Sequence, residues 1–335
     1  MSKNYYIIPI FVPHEGCPHD CVFCNQDRIT GVKDKVTADT VYNIVNEYLK
    51  TINRENSTVE ISFFGGTFTG IKEEKQRELL KVAKEYKDKG LIDKIRMSTR
   101  PDYIDDYILS YLKEYDVDII ELGVQSLDDS VLIAAGRGHT AAEVEKASKL
   151  IKKYGIVLGH QIMPGLPNDS FEKDIISVKK SIEMKPDICR IYPSLVIKDT
   201  PMEIMYNRGE YIPYSLEEAV EICKVLYKLY NDSHINVIRI GLQPTDDISE
   251  GKDVVAGPFH PAFRELVEGS ILADKVRDEL KESYKGIIKI NKRDLSKLYT
   301  NRKFYFNKLV DEGYKLKVVT SDDILRGDII IEKDC

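Results

Sequence analysis

Pro13-His14-Glu15-Gly16-Cys17-Pro18-His19-Asp20-Cys21-Val22-Phe23-Cys24-Asn25-Gln26 follows directly on an apolar, β-rich run, Tyr5–Val12. Three of the six cysteines fall within eight residues of this loop, spaced C-x3-C-x2-C. Turned by Gly16 and Pro18, such a loop lets all three thiolates face one metal centre. The number three is informative. A closed structural zinc site takes four protein ligands, and an ordinary [4Fe–4S] cluster takes four cysteines. Three cysteines leave one iron without a protein ligand, open to a substrate or cofactor. A zinc knuckle completed by His14 or His19 is the alternative. A disulfide framework fits poorly with sparse cysteine usage and an N-terminus that enters a strand without a secretory segment.

Working outward, apolar β-rich runs alternate with stretches of helical spacing. Thr58–Phe64, Lys94–Thr99, Val117–Val124, Ile156–Met163, Ile188–Pro193 and Asn236–Ile240 read as strands. Thr37–Thr51, Glu73–Lys89, Ile104–Tyr115, Leu127–Ala135, Ala141–Tyr154, Ser170–Met184 and Leu216–Tyr230 read as helices. The order predicts repeated βα units and a parallel sheet. Roughly six units result, short of the eight of a complete TIM barrel. The expectation is therefore an α/β fold, a partial (β/α)6 TIM-like barrel over residues 1–275, with a small basic α+β extension over 284–335.

In such barrels, sites lie at the C-terminal ends of strands. The cysteine loop follows the first strand and Gly65-Gly66-Thr67 the second. Ser98-Thr99-Arg100 stands at the third, Gln125 after the fourth, and Gln161–Gly165 at the fifth. Five features on one rim give the fold reading its weight.

Composition sets the remaining bounds. Of 335 residues, 42% are hydrophobic and 31% charged, ordinary for a globular enzyme-sized chain. No apolar run reaches the length of a membrane span, and the expected compartment is cytoplasmic, where thiols stay reduced. The net charge of −6 is uneven: Lys285–Thr320 carries +7, leaving −13 for the rest.

The loop spacing, with Phe23 just before the last cysteine, resembles the radical S-adenosylmethionine (SAM) superfamily. That resemblance implies a [4Fe–4S] cluster on Cys17, Cys21 and Cys24. Its open iron chelates the methionine part of SAM, and an electron from the cluster, delivered by a donor such as flavodoxin or ferredoxin, cleaves SAM to a 5′-deoxyadenosyl radical. It also implies SAM contacts. Gly65, Gly66 and Thr67 would position the amino group, since bare backbone carbonyls need an unobstructed approach. Gln125 would bond the ribose, and Arg137, with Arg100 as second candidate, would pair the carboxylate through its planar fork. Phe23 would pack near the cluster and adenine, with Met163 in the segment lining the adenine side. Tyr192 is a candidate to touch substrate or relay hydrogen. Cys189 and Cys223 read as small buried residues, without an auxiliary cluster. Gly257–Leu266 reads either as a closure of the barrel's open side or as a helix cap with buried aromatics.

Four motifs narrow the resemblance to the catalytic subunit of Elongator: Gly123-Val124-Gln125-Ser126, Arg137-Gly138-His139-Thr140, Met163-Pro164-Gly165-Leu166-Pro167 and Arg190–Ile197. The Thr200–Tyr211 stretch joins them. That family modifies the wobble uridine of tRNA with acetyl-CoA as carbon source, through an acetyltransferase-like domain after the barrel. With some 60 residues after the barrel, that domain is not expected here. Ile240–Asp247 also stands where the family has an arginine-rich run. The expectation is an Elongator-like barrel with a different acceptor or co-substrate. A small metabolite, porphyrin or peptide is the alternative substrate, and a non-catalytic metal-cluster RNA-binding protein the alternative function.

In the tail, Gly286–Ile290 reads as strand, Lys292–Leu298 as helix, Tyr299–Lys303 as a polar link and Phe304–Asp311 as helix, before strands at Tyr314–Val319 and Asp328–Ile331. The order resembles half of a KH module, without the glycines of its clamp loop. Its lysines imply an RNA partner, tRNA by the family resemblance, held by residues 285–320.

Overall fold

The structure, a computed structural model, describes residues 5–12, 17, 19–25, 35–242, 251–281 and 283–333. His14, Gly16, Pro18, Gln243–Asp247 and Cys335 lie outside the described residues.

Seven parallel strands form one sheet in chain order. They are β1 (Tyr5–Val12), β2 (Thr58–Gly65), β3 (Lys94–Thr99), β4 (Ile119–Gln125), β5 (Val157–Ile162), β6 (Ile188–Ile191) and, after a detour, β8 (Asn236–Ile240). The crossovers carry α1 (Ala38–Leu49), α2 (Glu73–Asp88), α3 (Asp106–Glu114), α4 (Asp129–Ala134), α5 (Ala141–Lys153) and α6 (Phe171–Glu183). The detour before β8 holds β7 (Val196–Ile197), α7 (Pro201–Asn207) and α8 (Leu216–Asp232). Seven strands joined by six crossovers make the expected partial barrel. Helix starts are fixed locally: Thr37, Thr140 and Ser215 close capping boxes on α1, α5 and α8, and Asp105, Asp128 and Ser170 cap α3, α4 and α6.

The two faces of the sheet differ in chemistry. Alternate residues such as Ile10, Ile61, Met97, Leu122, Leu158 and Ile191 are buried against the helices in one apolar core. The intervening residues point to the other face and include Glu60, Arg96, Glu121 and Arg190. Register puts them side by side: Ser62 pairs with Arg96, Ser98 with Glu121, and Gln161 with Arg190. At the N-terminal rim, Asp93, Asp118 and Asp187 accept the backbone N–H groups of Val59, Ile95 and Leu158 at 2.7, 2.7 and 2.8 Å. That end is locked by hydrogen bonds, leaving the C-terminal rim to chemistry.

Beyond β8, β9 (Val254–Ala256) pairs antiparallel with β7, a ribbon absent from the sequence reading. Helix α9 (Phe263–Leu280) then serves two cores. Phe263, Leu266 and Val267 belong to the barrel core, whereas Leu272, Ala273, Val276 and Leu280 belong to that of the tail. A boundary at 275 therefore falls within a continuous helix. Phe263 packs where a side chain on Gly241 would stand, so the Gly257–Leu266 segment buries an aromatic at the end of β8.

The tail comprises β10 (Lys285–Ile290), α10 (Leu295–Leu298), α11 (Thr300–Asp311), β11 (Lys315–Thr320) and β12 (Ile329–Lys333). Its sheet runs β11-β10-β12, with β10 parallel to β11 and antiparallel to β12. Asn301, Arg302 and Lys303 all sit at positive φ (47, 54 and 68°), so the polar link is a left-handed turn rather than helix. Three successive non-glycine residues there are unusual and cost backbone energy.

Candidate active site

The cysteine loop lies against the turn that follows α4. The Val22 amide donates to the Ala135 carbonyl at 3.0 Å, and the Met202 amide to the Val22 carbonyl at 2.8 Å. A side chain on Gly138 would collide with the His19 ring at 2.4 Å. Glycine is therefore required where the two loops touch, at a φ of 76° that also favours it. Phe23 packs against an apolar cluster of Val131, Ala135 and Leu166 and against a second of Val196, Met202 and Tyr211. The aromatic before the third cysteine thus pins the loop to three separate segments. Cys24 donates its amide to the Cys21 carbonyl at 3.0 Å, curling the end of the loop. Cys21 is buried, Cys17 and Cys24 are half-buried, and the described cysteines form no disulfide.

Arg137 reaches this loop from the turn between α4 and α5. It donates from Nη2 to the Gly123 carbonyl at 2.7 Å and from Nη1 to Cys21 Sγ at 3.5 Å. Among the described residues its buried Nε has no partner, and no carboxylate pairs with it. A guanidinium that is only 7% exposed is ordinarily matched by an anion. Three thiols in one loop, that of Cys21 3.5 Å from a buried guanidinium with no carboxylate partner among the described residues, are a donor set suited to a thiolate-bound cluster and a carboxylate-bearing ligand. Among the described residues no three His, Cys, Asp or Glu side chains come close enough to share a single ion. A cluster spreads its thiolates over different irons, so its ligands need not converge on one point.

The other sequence-predicted residues collect on the same rim. Gly65 ends β2 at φ 107°, where an added side chain would stand 3.0 Å from the Val12 carbonyl oxygen, and the Gly66 amide donates to that oxygen at 2.9 Å. Thr67 is buried beside them. Gln125 adopts φ 66°, accepts from Gln161 Nε2 at 3.2 Å, and its carbonyl takes the Met163 amide at 2.8 Å. Arg100 is otherwise engaged. It is fully buried, forks onto Asp102 at 2.9 Å, and donates to the Arg137 carbonyl at 2.6 Å. That geometry makes Arg100 a brace for the Arg137 turn. His139 donates from Nε2 to the Val124 carbonyl at 3.2 Å, leaving Nδ1 a buried acceptor without a partner among the described residues. Burial, with Arg137 and Arg100 nearby, pushes its pKa down to about 2, so the ring is neutral.

Sequence reasoning missed a chain of charge across the polar face of the sheet. Tyr5 donates to Glu60 at 2.5 Å, and Glu60 pairs with Arg96 at 2.8 Å. Arg96 pairs with Glu121 at 2.7 Å, and Glu121 with Arg190 at 3.0 Å. Arg190 donates to the Tyr192 hydroxyl at 3.0 Å and lies over the Phe64 ring. Burial opposes the charge on Arg96 and Arg190, yet the carboxylates hold both guanidinium groups above their ordinary pKa. Tyr192 is therefore anchored by a rigid ionic ladder, with its phenol on the polar face.

Fold and site together define a class. The Radical SAM superfamily model matches residues 11–177, and the Radical_SAM C-terminal domain matches 186–272. The chain belongs to the radical SAM superfamily and is a radical SAM enzyme, a membership that implies an iron–sulfur cluster and SAM. More particularly, it is similar to the tRNA uridine(34) acetyltransferase of Methanocaldococcus jannaschii, 28% identical over 258 residues, covering 64% of this chain and 47% of that protein. It shares 31% identity over 196 residues with Elongator complex protein 3 of Homo sapiens, covering 52% of this chain and 36% of that one. In fold it resembles the solved structure of Methanocaldococcus infernus Elp3 with an N-terminal deletion (TM-score 0.64, 22% identity, 83% of this chain and 65% of that chain). The chain spans about half the length of the archaeal acetyltransferase it matches. Residues after 272 lie beyond both family models. Among the described residues no helix is long and apolar enough to cross a membrane.

Proposed function

We propose that this chain binds a [4Fe–4S] cluster through Cys17, Cys21 and Cys24, cleaves SAM reductively, and directs the resulting chemistry at an RNA, with tRNA as the favoured substrate. The observation that carries the reading is Arg137: buried, without a carboxylate partner among the described residues, and in contact with the sulfur of Cys21. When bound, cluster and SAM together supply a 5′-deoxyadenosyl radical. What the polypeptide does is orientation and exclusion. Arg137 offers its unmatched N–H to a carboxylate, and Arg100, forked onto Asp102, keeps the Arg137 turn in place. Gly65 and Gly66 give a backbone edge without side-chain obstruction to an amino group. Gln125, held at positive φ, presents its amide toward the same rim. Tyr192, fixed by Arg190, is the residue on the polar face suited to meet substrate.

RNA as substrate is supported by the similarity to tRNA uridine(34) acetyltransferases and by the basic tail, read as an RNA-binding unit of its own. Flavodoxin or ferredoxin is the expected class of electron donor. The test is anaerobic reconstitution followed by dithionite and SAM. About four irons per chain and formation of 5′-deoxyadenosine are expected. A colourless, zinc-loaded protein that leaves SAM intact would overturn the reading. Mass spectrometry of tRNA nucleosides from wild-type and deletion strains tests the substrate: a modification lost with the gene is expected.

A further inference from the structure

The tail sheet has one face buried and one face open. Gly286, Ile288 and Ile290 of β10 point inward, where α9 supplies Val276 and Leu280 and α11 supplies Leu309 to the same core. The intervening residues face solvent. Register sets Lys285 beside Lys315, Ile287 beside Lys317 and Lys289 beside Val319, while β12 adds Glu332 beside Ile287 and Ile330 beside Lys289. The open face thus carries four lysines and one glutamate. Lys289 pairs with Glu332. Among the described residues, no acid pairs with Lys285, Lys315 or Lys317.

This arrangement is costly for a sheet that meets only water. Like charges directly opposite each other across two strands are destabilising, and Lys285 and Lys315 are such a pair. Guarding against edge pairing accounts for Lys315 and Lys317 on the edge strand β11, but not for Lys285 on the central strand. Between the lysines lie apolar side chains: Ile287, Val319 at 37% exposure and Ile330 at 49%. Tyr284, 49% exposed, stands at the end of the same strand. A flat surface that alternates cations with apolar and aromatic groups matches a strand of nucleic acid with phosphates on one side and unstacked bases on the other.

We propose that the solvent-facing side of the β11-β10-β12 sheet is the surface that holds a single-stranded segment of the RNA, with Lys285, Lys315 and Lys317 on its phosphates and Ile287, Val319 and Ile330 against its bases. This rests on the reading that RNA is the substrate. It locates the contact on the sheet, away from the exposed left-handed link Asn301–Lys303, where a clamp-loop analogy would put it.

The test uses the full reconstituted chain, a fluorescein-labelled oligouridine and an unmodified tRNA transcript, with anisotropy titrations across a range of KCl. The variants are Lys285→Gln/Lys315→Gln/Lys317→Gln and, for comparison, Arg302→Gln/Lys303→Gln. The triple variant should bind the oligouridine at least about tenfold more weakly at low salt, with the slope of log K against log salt reduced by about 2. Its melting temperature and its RNA-independent formation of 5′-deoxyadenosine should match wild type. If the link variant loses the affinity and the triple variant keeps it, the sheet assignment is wrong while the RNA reading stands. If wild type binds neither RNA, both fall. If the triple variant keeps RNA binding but loses reduction by an acidic flavodoxin and not by dithionite, the face belongs to a protein partner and the proposal is overturned.

Discussion

The Arg137 guanidinium occupies the volume that a side chain at Gly123 would need: a β-carbon there would stand 2.7 Å from Arg137 Nη2 and 2.9 Å from Gln125 Nε2. Gly123 has ordinary strand φ, so its role is space rather than backbone freedom. Both colliding atoms are ends of side chains, so Gly123→Ala should fold, at a cost of about 1 kcal/mol for overpacking. What moves is the pair of residues proposed to meet SAM. We expect SAM affinity, measured by equilibrium binding to reconstituted protein, to fall by about tenfold or more. An unchanged affinity would show that neither Arg137 nor Gln125 contacts SAM.

The Arg100–Asp102 pair should respond asymmetrically. Arg100 is 2% exposed and Asp102 14% at the side chain. Removing the acid strands a buried guanidinium whose Nη1 already lacks a partner, so Asp102→Ala should cost about 3 kcal/mol. Arg100→Ala leaves a carboxylate that can turn to water, and should cost less, chiefly through the lost grip on the Arg137 carbonyl. Urea denaturation of the two variants checks the order. Equal losses would mean that the pair is better hydrated than its burial indicates.

How far the sequence carried is clear from which residues it exposed. The cysteine loop, Gly65-Gly66 and Gln125 were legible as rim residues because the βα period places each at a strand end. Arg137 sits in a turn between two helices, where no period marks it, and only the family resemblance singled it out. The ionic ladder was not legible. Glu60 and Ser62 alternate with Val59, Ile61 and Phe63, a pattern that marks a polar face without showing that this face is the interior of the barrel. Arg96, Glu121 and Arg190 stand in three separate strands, and only lateral register reveals that they are neighbours. The β7–β9 ribbon joins residues 196–197 to 254–256 by two rungs, too short to leave a pattern. The double use of α9 was hidden because both cores draw on one continuous apolar stripe.

Glu121 is the hinge of that ladder, since it serves Arg96 and Arg190 together. Glu121→Ala should leave two buried cations competing for Glu60 alone and cost about 4 kcal/mol. Tyr192→Phe, which removes only one acceptor from Arg190, should cost about 1 kcal/mol. If Tyr192 meets substrate, the Phe variant will form 5′-deoxyadenosine normally and yet lose modified product. A Phe variant with full product formation would confine Tyr192 to a structural role.

The pH dependence of stability should peak near neutrality, because buried groups pull in opposite directions. His160 is fully buried between Ser148 and Ser181, at 2.9 and 2.7 Å, and burial pushes its pKa down to about 3. His139 is down to about 2. Both rings are neutral when folded but take protons in the unfolded chain below about 6.5. Their contribution is therefore complete above pH 6.5 and is lost as pH falls, each by about 1.4 kcal/mol per unit. Asp174 has the reverse sign. Burial, then the neighbouring Asp169, raises its pKa to about 9, and Tyr214 donates to it at 3.0 Å. Folded, it keeps a proton that the unfolded chain releases above about pH 4, so its contribution weakens as pH rises toward 9. Between pH 5 and 6 the two histidines outweigh Asp174 and stability should rise with pH; above pH 7 the histidines no longer contribute a slope, and the buried Asp169–Asp174 pair, both members raised by burial, makes stability fall. Asp174→Asn, which preserves an acceptor for Tyr214, should flatten the alkaline limb without touching the acid one. His160→Gln should reduce the acid slope by about half. Denaturant melts at pH 5, 6.5 and 8 check all three curves, and a wild-type stability that climbs steadily to pH 8 would show that the Asp169–Asp174 pair is ionised in the folded protein.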